Sequence, residues 1–79
     1  MVKEGNMEEY IRDFNTRQII GILDHKPNGD IYAISFRTRQ ILAIYRAQYN
    51  DTIEFNTRQV VAKGNIAVSF IYNDYQKYK

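Results

Sequence analysis

The sequence contains no cysteine, no tryptophan and a single proline, and only two of its residues are leucine. Without cysteine, disulfide bonds and Cys-ligated zinc sites are excluded. No apolar run approaches the roughly 18 residues that a membrane-spanning helix needs. The first residues, MVKEGNMEEY, also lack the apolar stretch of a signal peptide. We therefore expect a soluble, cytoplasmic protein without a membrane partner.

Residues that favour β-strands dominate the apolar part of the sequence. The 79 residues include 11 Ile, 4 Val, 7 Tyr and 4 Phe. β-branched and aromatic side chains fit the half-buried surface of a β-sheet, whereas Leu and Ala favour helices. Because a chain of this length can build only one small core, the composition predicts a single all-β domain, residues 1–79.

Positive and negative charges are nearly balanced, with 11 Lys and Arg against 9 Asp and Glu and a net charge of +2. Residues 1–26 sum to −1, residues 27–54 to 0 and residues 55–79 to +3. A dedicated binder of duplex DNA or RNA carries a denser footprint of Lys and Arg. Only the C-terminal third therefore has a basic bias.

An internal repeat is the strongest pattern in the sequence. FNTRQIIG at 14–21, FRTRQILA at 36–43 and FNTRQVVA at 55–62 share F-x-T-R-Q, two aliphatic residues and a small residue. The offsets of 22 and 19 residues suit two strands and two turns, but not a strand and a full helix. We therefore expect hairpin units at about 10–29, 30–50 and 51–72, followed by a flexible tail, 73–79.

The residues around each motif predict an antiparallel meander. Polar and apolar residues alternate ahead of the motif, which places Phe14, Phe36 and Phe55 on the inner, core face. Asn, Thr and Arg then form a tight turn. The last strand is expected at 66–72. Two arrangements stay open: a closed small barrel or pseudo-threefold cluster, and a hairpin solenoid whose exposed edges favour oligomers.

Residues 6–14 carry a competing helical signal. Asn6 and Glu9 have the spacing of a capping box, and the apolar residues Met7, Tyr10, Ile11 and Phe14 recur at helical intervals. A short N-terminal helix, mainly over 6–10, is therefore predicted as an alternative to a strand.

Arginine at the repeated turns is the first candidate binding feature. Arg17, Arg39 and Arg58 occupy equivalent positions, and the planar guanidinium group suits carboxylates, phosphates and aromatic faces. Arg37 adds a further positive charge to the middle turn. The alternative is structural: Thr caps the turn, Gln pairs across strands, and Arg covers apolar surface with its stem. The structural interpretation is the better supported of the two.

Tyrosine is the second candidate feature. Tyr45, Tyr49, Tyr72 and Tyr75 fall at expected strand ends or in polar stretches. Tyr and Arg are enriched at the centres of protein interfaces, and Tyr also stacks on unpaired bases. These eight Arg and Tyr residues together form the predicted binding set.

The sequence offers no catalytic or metal-binding pattern, and no cofactor is expected. His25 is the only histidine and precedes a turn, while Asp24, Asn28 and Asp30 lack the spacing of a calcium loop. We therefore expect a non-catalytic interaction module that binds a protein partner as an adaptor or inhibitor. Single-stranded nucleic-acid binding is the alternative, and homo-oligomers are compatible with either.

Overall fold

The computed structural model describes residues 7–77, which form one antiparallel β-sheet and one α-helix. The strands and the helix have the following bounds: β1 Met7–Arg12, β2 Ile19–His25, β3 Ile31–Ser35, β4 Ile41–Arg46, β5 Asp51–Glu54, β6 Val60–Lys63 and α1 Ala67–Lys77. Each strand pairs with the next in chain order. The predicted antiparallel β class is confirmed for the sheet. Within residues 7–77 the sheet is open, with β1 and β6 at its edges, instead of closed into a barrel.

The N-terminal segment is a strand, so the predicted helix is wrong for residues 7–10. β1 pairs with β2 from Met7 opposite His25 to Arg12 opposite Ile19. Only Ile11 of this strand is buried, while Met7 is 70% exposed and Phe14, beyond the strand, 85%. The apolar residues at helical intervals therefore share no buried face that would stabilise a helix. Asn6, the predicted cap, lies outside the described residues.

The C-terminal segment is a helix, so the strand predicted at 66–72 is wrong. Residues 73–77 of the predicted tail belong to the helix, and 78–79 lie outside the described residues. The side-chain oxygen of Asn65 accepts a hydrogen bond from the backbone N–H of Ala67 at 3.0 Å, which satisfies a donor of the first helical turn. Ala67 and Ile71 then bury the same face of α1. Alternate apolar residues in this segment gave a false strand signal.

The helix packs on the centre of the sheet, over β2, β3 and β4. Small residues lie beneath it: Gly21 faces Ile71, and Ala33 and Ala43 are fully buried. Larger apolar side chains from β1 and β2 complete this core, namely Ile11, Ile20 and Leu23. The close approach of the helix therefore depends on the small residues of the three middle strands.

The opposite face of the sheet carries a row of isoleucines. Ile44 pairs with Ile53 and Ile22 with Ile34. Ile22, Ile44 and Ile53 are only 4–6% exposed, although they lie on the face away from the helix. The isoleucine content of the sequence thus serves two apolar faces. No helix within residues 7–77 is long and apolar enough to cross a membrane.

One irregularity recurs in three of the strand pairs. In β1–β2, β3–β4 and β5–β6 the register shifts by one residue shortly after the F-x-T-R-Q motif. The extra residues are Ile20, Leu42 and Val61, each a β-bulge on the outgoing strand. Each bulge makes residues three apart in sequence, such as Val60 and Lys63, point to the same face.

Candidate interaction site at the arginine loops

The three F-x-T-R-Q motifs form the loops that join β1 to β2, β3 to β4 and β5 to β6. Because consecutive strands run in opposite directions, these alternate loops lie at one end of the sheet. We call this the arginine end, formed by loops 13–18, 35–40 and 54–59. The opposite end, with the connections 26–30 and 47–50, is called the turn end. Neighbouring strands lie about 4.8 Å apart, so successive arginine loops are spaced by about 10 Å.

The three loops share one backbone hydrogen-bond pattern. The residue before Phe accepts from the N–H of the motif Arg and donates its own N–H to the carbonyl of the motif Gln. The three accepting bonds are Arg17 to Asp13 at 2.9 Å, Arg39 to Ser35 at 2.8 Å and Arg58 to Glu54 at 2.8 Å. The donating bonds to Gln18, Gln40 and Gln59 are 2.9 Å in each loop. Four-residue loops of this kind are a common way to close a hairpin.

Side chains inside each loop reinforce the same turn. In the first loop Asp13 Oδ2 accepts from the Thr16 N–H at 3.0 Å and from Thr16 Oγ1 at 3.1 Å. In the other loops Ser35 and Glu54 accept from Thr38 and Thr57 respectively. Each Thr hydroxyl also accepts from the N–H of the following Gln, at 3.2–3.3 Å. The loop itself therefore accounts for the threonine in the motif.

The motif arginines have an unfavourable backbone conformation. The φ angles of Arg17, Arg39 and Arg58 are 65°, 64° and 61°, in the left-handed region. That region costs a residue with a side chain about 1–2 kcal/mol relative to its usual conformations, whereas Gly adopts it freely. Loop geometry alone would therefore favour Gly, or Asn, at all three positions.

The three motif phenylalanines lie in the loops, so the prediction that they are core residues is wrong. Phe14 is 85% exposed, and Phe36 and Phe55 are half-buried. Phe36 and Phe55 directly follow the last residue of a strand, and Phe14 lies two residues beyond the end of β1, so the inward-outward alternation of the strand no longer sets their direction. The Arg39 guanidinium lies 4.4 Å from the Phe36 ring centroid, and Arg58 lies 4.5 Å from that of Phe55.

The first loop uses its aromatic ring differently. Phe14 stacks on Tyr72 of α1, with ring centroids 6.4 Å apart and an interplanar angle of 11°. The Tyr72 hydroxyl donates to the backbone carbonyl of Arg12 at 3.5 Å. Arg12 Nη1 in turn donates to the carbonyl of Arg17 at 2.9 Å. The helix is thereby connected to the first arginine loop.

Positive charge is concentrated at the arginine end. It holds five of the six arginines of the sequence, Arg12, Arg17, Arg37, Arg39 and Arg58. Lys77 also lies at this end, and the carboxylates there are Asp13, Glu54 and Asp74. Among the described residues the turn end holds Lys26, Arg46 and Lys63 against the carboxylates Glu8, Glu9, Asp24, Asp30 and Asp51. The near-neutral chain is thus polarised from one end of the sheet to the other.

A cleft of about 350 Å³ opens between α1 and the second arginine loop. It is lined by Ile19, Ile20, Ser35, Phe36, Arg37, Asp74 and Tyr75. Arg37 and Tyr75, both predicted binding residues, therefore line the same cleft at the arginine end. Tyr72 contacts the first loop, so six of the eight predicted residues lie at this end.

Tyr45 and Tyr49 lie at the turn end, away from the other predicted residues. The Tyr45 hydroxyl donates to Asn50 Oδ1 at 2.7 Å. The Tyr49 ring lies 4.4 Å below the Arg46 guanidinium, which makes two 2.8 Å hydrogen bonds to Asp51. The hydrogen bonds between Arg46 and Asp51 are the main cause of a raised pKa for Arg46 and a lowered pKa for Asp51. Both tyrosines are accounted for by the turn that they stabilise.

Arg12 and Asp74 are the residues of this site that the sequence analysis missed. Neither lies in the repeated motif, and each reaches the site through its place at the end of β1 or near the end of α1. The predicted meander would have sufficed to find Arg12, because the end of the first strand must adjoin the first loop. Asp74 could be placed at the site only once residues 67–77 were known to form a helix.

The side chains at the arginine end are of the kind that suits anionic groups or a flat partner surface. Its three loops present guanidinium groups in a row, with aromatic rings beside them. Within residues 7–77 no group of three or more Asp, Glu and His side chains is placed to hold a metal ion. His25 lies at the turn end, where its Nε2 is 3.1 Å from Glu9 Oε1. Comparisons with protein-family models, curated proteins and solved structures found no match to this chain.

Proposed function

We propose that this protein is a small non-catalytic module that binds a partner protein through the arginine end, as an adaptor or inhibitor. The observation that carries the proposal is the left-handed backbone of Arg17, Arg39 and Arg58 at equivalent loop positions. A strained residue that the local fold does not require points to a role for its side chain.

Folding alone gives little reason for arginine at these positions. The left-handed conformation costs about 1–2 kcal/mol per residue. An exposed cation–π contact returns about 0.5–1 kcal/mol, and such contacts occur at Arg39 and Arg58. Arg17 covers no aromatic ring among the described residues, because Phe14 stacks on Tyr72 instead. Glycine would therefore fold these loops at least as well.

The side chains at the arginine end favour a protein partner. Aromatic residues and Arg are enriched at the centres of protein interfaces, where they contribute most of the binding energy. Here Phe14 is 85% exposed beside Tyr72, and the two Phe–Arg pairs of the next loops follow at intervals of about 10 Å. The excess of positive charge favours a partner surface with exposed carboxylates.

We also infer that the chain is three copies of one hairpin unit. The inference is supported by the shared hydrogen-bond pattern of the loops, the shared left-handed arginine and the shared bulge. Under this interpretation the arginine loops form a repeated contact surface. A partner would then touch several equivalent loops at once.

Single-stranded nucleic acid is the second candidate partner, favoured by the gathering of five arginines at one end. Phosphates would contact the guanidinium groups, and bases would stack on aromatic rings. Two features weigh against it. The rings of Phe36 and Phe55 are each covered on one face by their own arginine, and the chain as a whole carries only +2.

The test replaces Arg17, Arg39 and Arg58 together with Gly. Because Gly tolerates the left-handed backbone, this triple variant should keep its circular dichroism spectrum and its free energy of unfolding to within about 1 kcal/mol. It should lose the partner that the wild-type protein captures from its native host. A Lys26→Gln, Lys63→Gln variant, which removes charge only at the turn end, should retain that partner.

Three results separate the alternatives. Equal capture of the partner by the triple Gly variant would refute the proposal. A large loss of stability in that variant would show that the arginines serve the fold. Retention of single-stranded oligonucleotides by the wild-type protein, weakening steeply with salt and absent from the variant, would favour the nucleic-acid candidate.

A further inference from the structure

The two edge strands of the sheet have matching outer sides. We propose that a second copy of this chain binds edge to edge, with its β1 pairing antiparallel to β6 of the first copy. The sheet would then continue in the order in which it already runs. This association does not depend on the function proposed for the arginine end.

Both edges expose apolar side chains. Within residues 7–77 no strand lies outside β1 or β6, so both strands have one side without backbone hydrogen-bond partners. Val60 on β6 is 53% exposed, and Tyr10 on β1 is 50% exposed. The helix packs on the middle strands and leaves these two residues uncovered.

The two edges also match in register. The bulge at Val61 places Val60 and Lys63 on one face, opposite Ile53 and Asp51 respectively. On β1, Glu8 and Tyr10 are two residues apart and lie on that same face of the sheet, away from the helix. An antiparallel pairing that puts Tyr10 opposite Val60, with Val61 again as the extra residue, also puts Glu8 opposite Lys63.

Opposite charges favour this β1–β6 pairing over a symmetric pairing of two β6 strands. Lys63 lies across the β5–β6 pair from Asp51, whose pKa it helps to lower. In the new strand pair Glu8 would supply a second carboxylate on the other side of Lys63. If two β6 strands paired with each other, Lys63 would face Val60 on both sides and gain no opposite charge. Charged, short edges usually prevent sheet pairing, but here the two edges carry opposite signs.

The proposed contact uses different surfaces on the two copies, so one contact leaves a free β1 and a free β6. Such head-to-tail contacts build open chains of copies unless the rotation closes a ring. The arginine ends of all copies would lie on the same side, since strand directions continue unchanged. Arg58 of one copy would then be followed by Arg17 of the next.

Cysteine cross-linking tests the register directly, because the native chain has no cysteine. Residues opposite each other in an antiparallel pair have Cα atoms about 4.5–5.5 Å apart, within the disulfide range of about 4.4–6.8 Å. Oxidation of a mixture of Tyr10→Cys and Val60→Cys proteins should give mainly the mixed dimer. Gln48→Cys, in an exposed turn, replaces Tyr10→Cys in the control mixture.

A mixed dimer no more abundant than in the control mixture would overturn the proposal. A predominance of Val60→Cys homodimers would overturn it too, in favour of β6–β6 pairing. Both cysteine variants should first show the wild-type circular dichroism spectrum and, under reducing conditions, the wild-type stability.

Charge reversal provides the second measurement. Lys63→Glu or Glu8→Lys alone should weaken the association by about tenfold, because each puts like charges opposite each other. The double variant should regain the wild-type dissociation constant, measured by sedimentation equilibrium. A wild-type protein that stays monomeric at every attainable concentration, or a double variant no tighter than the singles, would refute edge pairing.

Discussion

The side chain of Ile71 on α1 occupies the space that a Cβ atom on Gly21 would fill. Its Cγ2, Cδ1 and Cγ1 atoms all lie within 3 Å of that position. The helix can therefore reach the backbone of β2 only because residue 21 has no side chain. This contact fixes the helix over the middle of the sheet and places its last turns, with Tyr72 and Tyr75, at the arginine end.

Gly21→Ala should lower the free energy of unfolding by about 1–3 kcal/mol, because the added methyl group forces Ile71 out of its place. Ile71→Ala should also destabilise the protein, by about 2–5 kcal/mol. In the double variant the loss should be smaller than the sum of the two, since the overlap no longer exists. Urea denaturation of the four proteins measures this coupling. Strictly additive losses would show that the two residues do not interact.

The first arginine loop depends on the carboxylate of Asp13. Its Oδ2 accepts from the N–H groups of Asn15 and Thr16 and from the Thr16 hydroxyl, and the residue is 7% exposed. Asp13→Ala should therefore cost about 1–3 kcal/mol of stability, through donors left without an acceptor. Asp13→Ser should cost less, because Ser35 performs the same task in the second loop. Thermal and urea denaturation compare the two variants, and equal losses would exclude this role for the side chain.

The repeat predicted the connectivity of the sheet well. Hairpin units of about 20 residues require antiparallel neighbours, and the turn signals around Pro27 and Asn50 lie between strands as expected. The position of the arginines also followed, because alternate connections of a meander share an end. The repeat did not determine the conformation of residues 7–10, and the strand that it suggested at 66–72 is replaced by a helix.

The secondary structure of these two segments was predicted wrongly for the same physical reason. Their apolar residues fit both a period of two and a period near four, so the local pattern could not decide. Pairing with β2 decided the first segment, and packing of Ile71 against Gly21 decided the second. The second contact joins residues that are far apart in sequence, which the local pattern does not show. Phe14 was misplaced for a simpler reason, since it lies one residue beyond the buried Asp13, where the strand pattern had ended.

The Arg46–Asp51 pair should make stability depend on pH at the acid end. Asp51 is buried with a side chain only 4% exposed, and its two hydrogen bonds from Arg46 lower its pKa below the ordinary value of 3.8. A carboxyl whose pKa is lower in the folded state stabilises the fold above its unfolded pKa. This contribution is lost as the pH falls through the lower, folded-state pKa.

Asp51→Asn should therefore be less stable than the wild-type protein at neutral pH. The difference should shrink as the pH falls below 3.8, where the unfolded-state carboxyl becomes protonated. Urea denaturation at a series of pH values measures it, with the Arg46→Gln, Asp51→Asn double variant as the control that removes the whole pair. A difference between wild type and Asp51→Asn that stays constant down to the most acidic pH at which the protein folds would show that this ion pair does not set the acid stability.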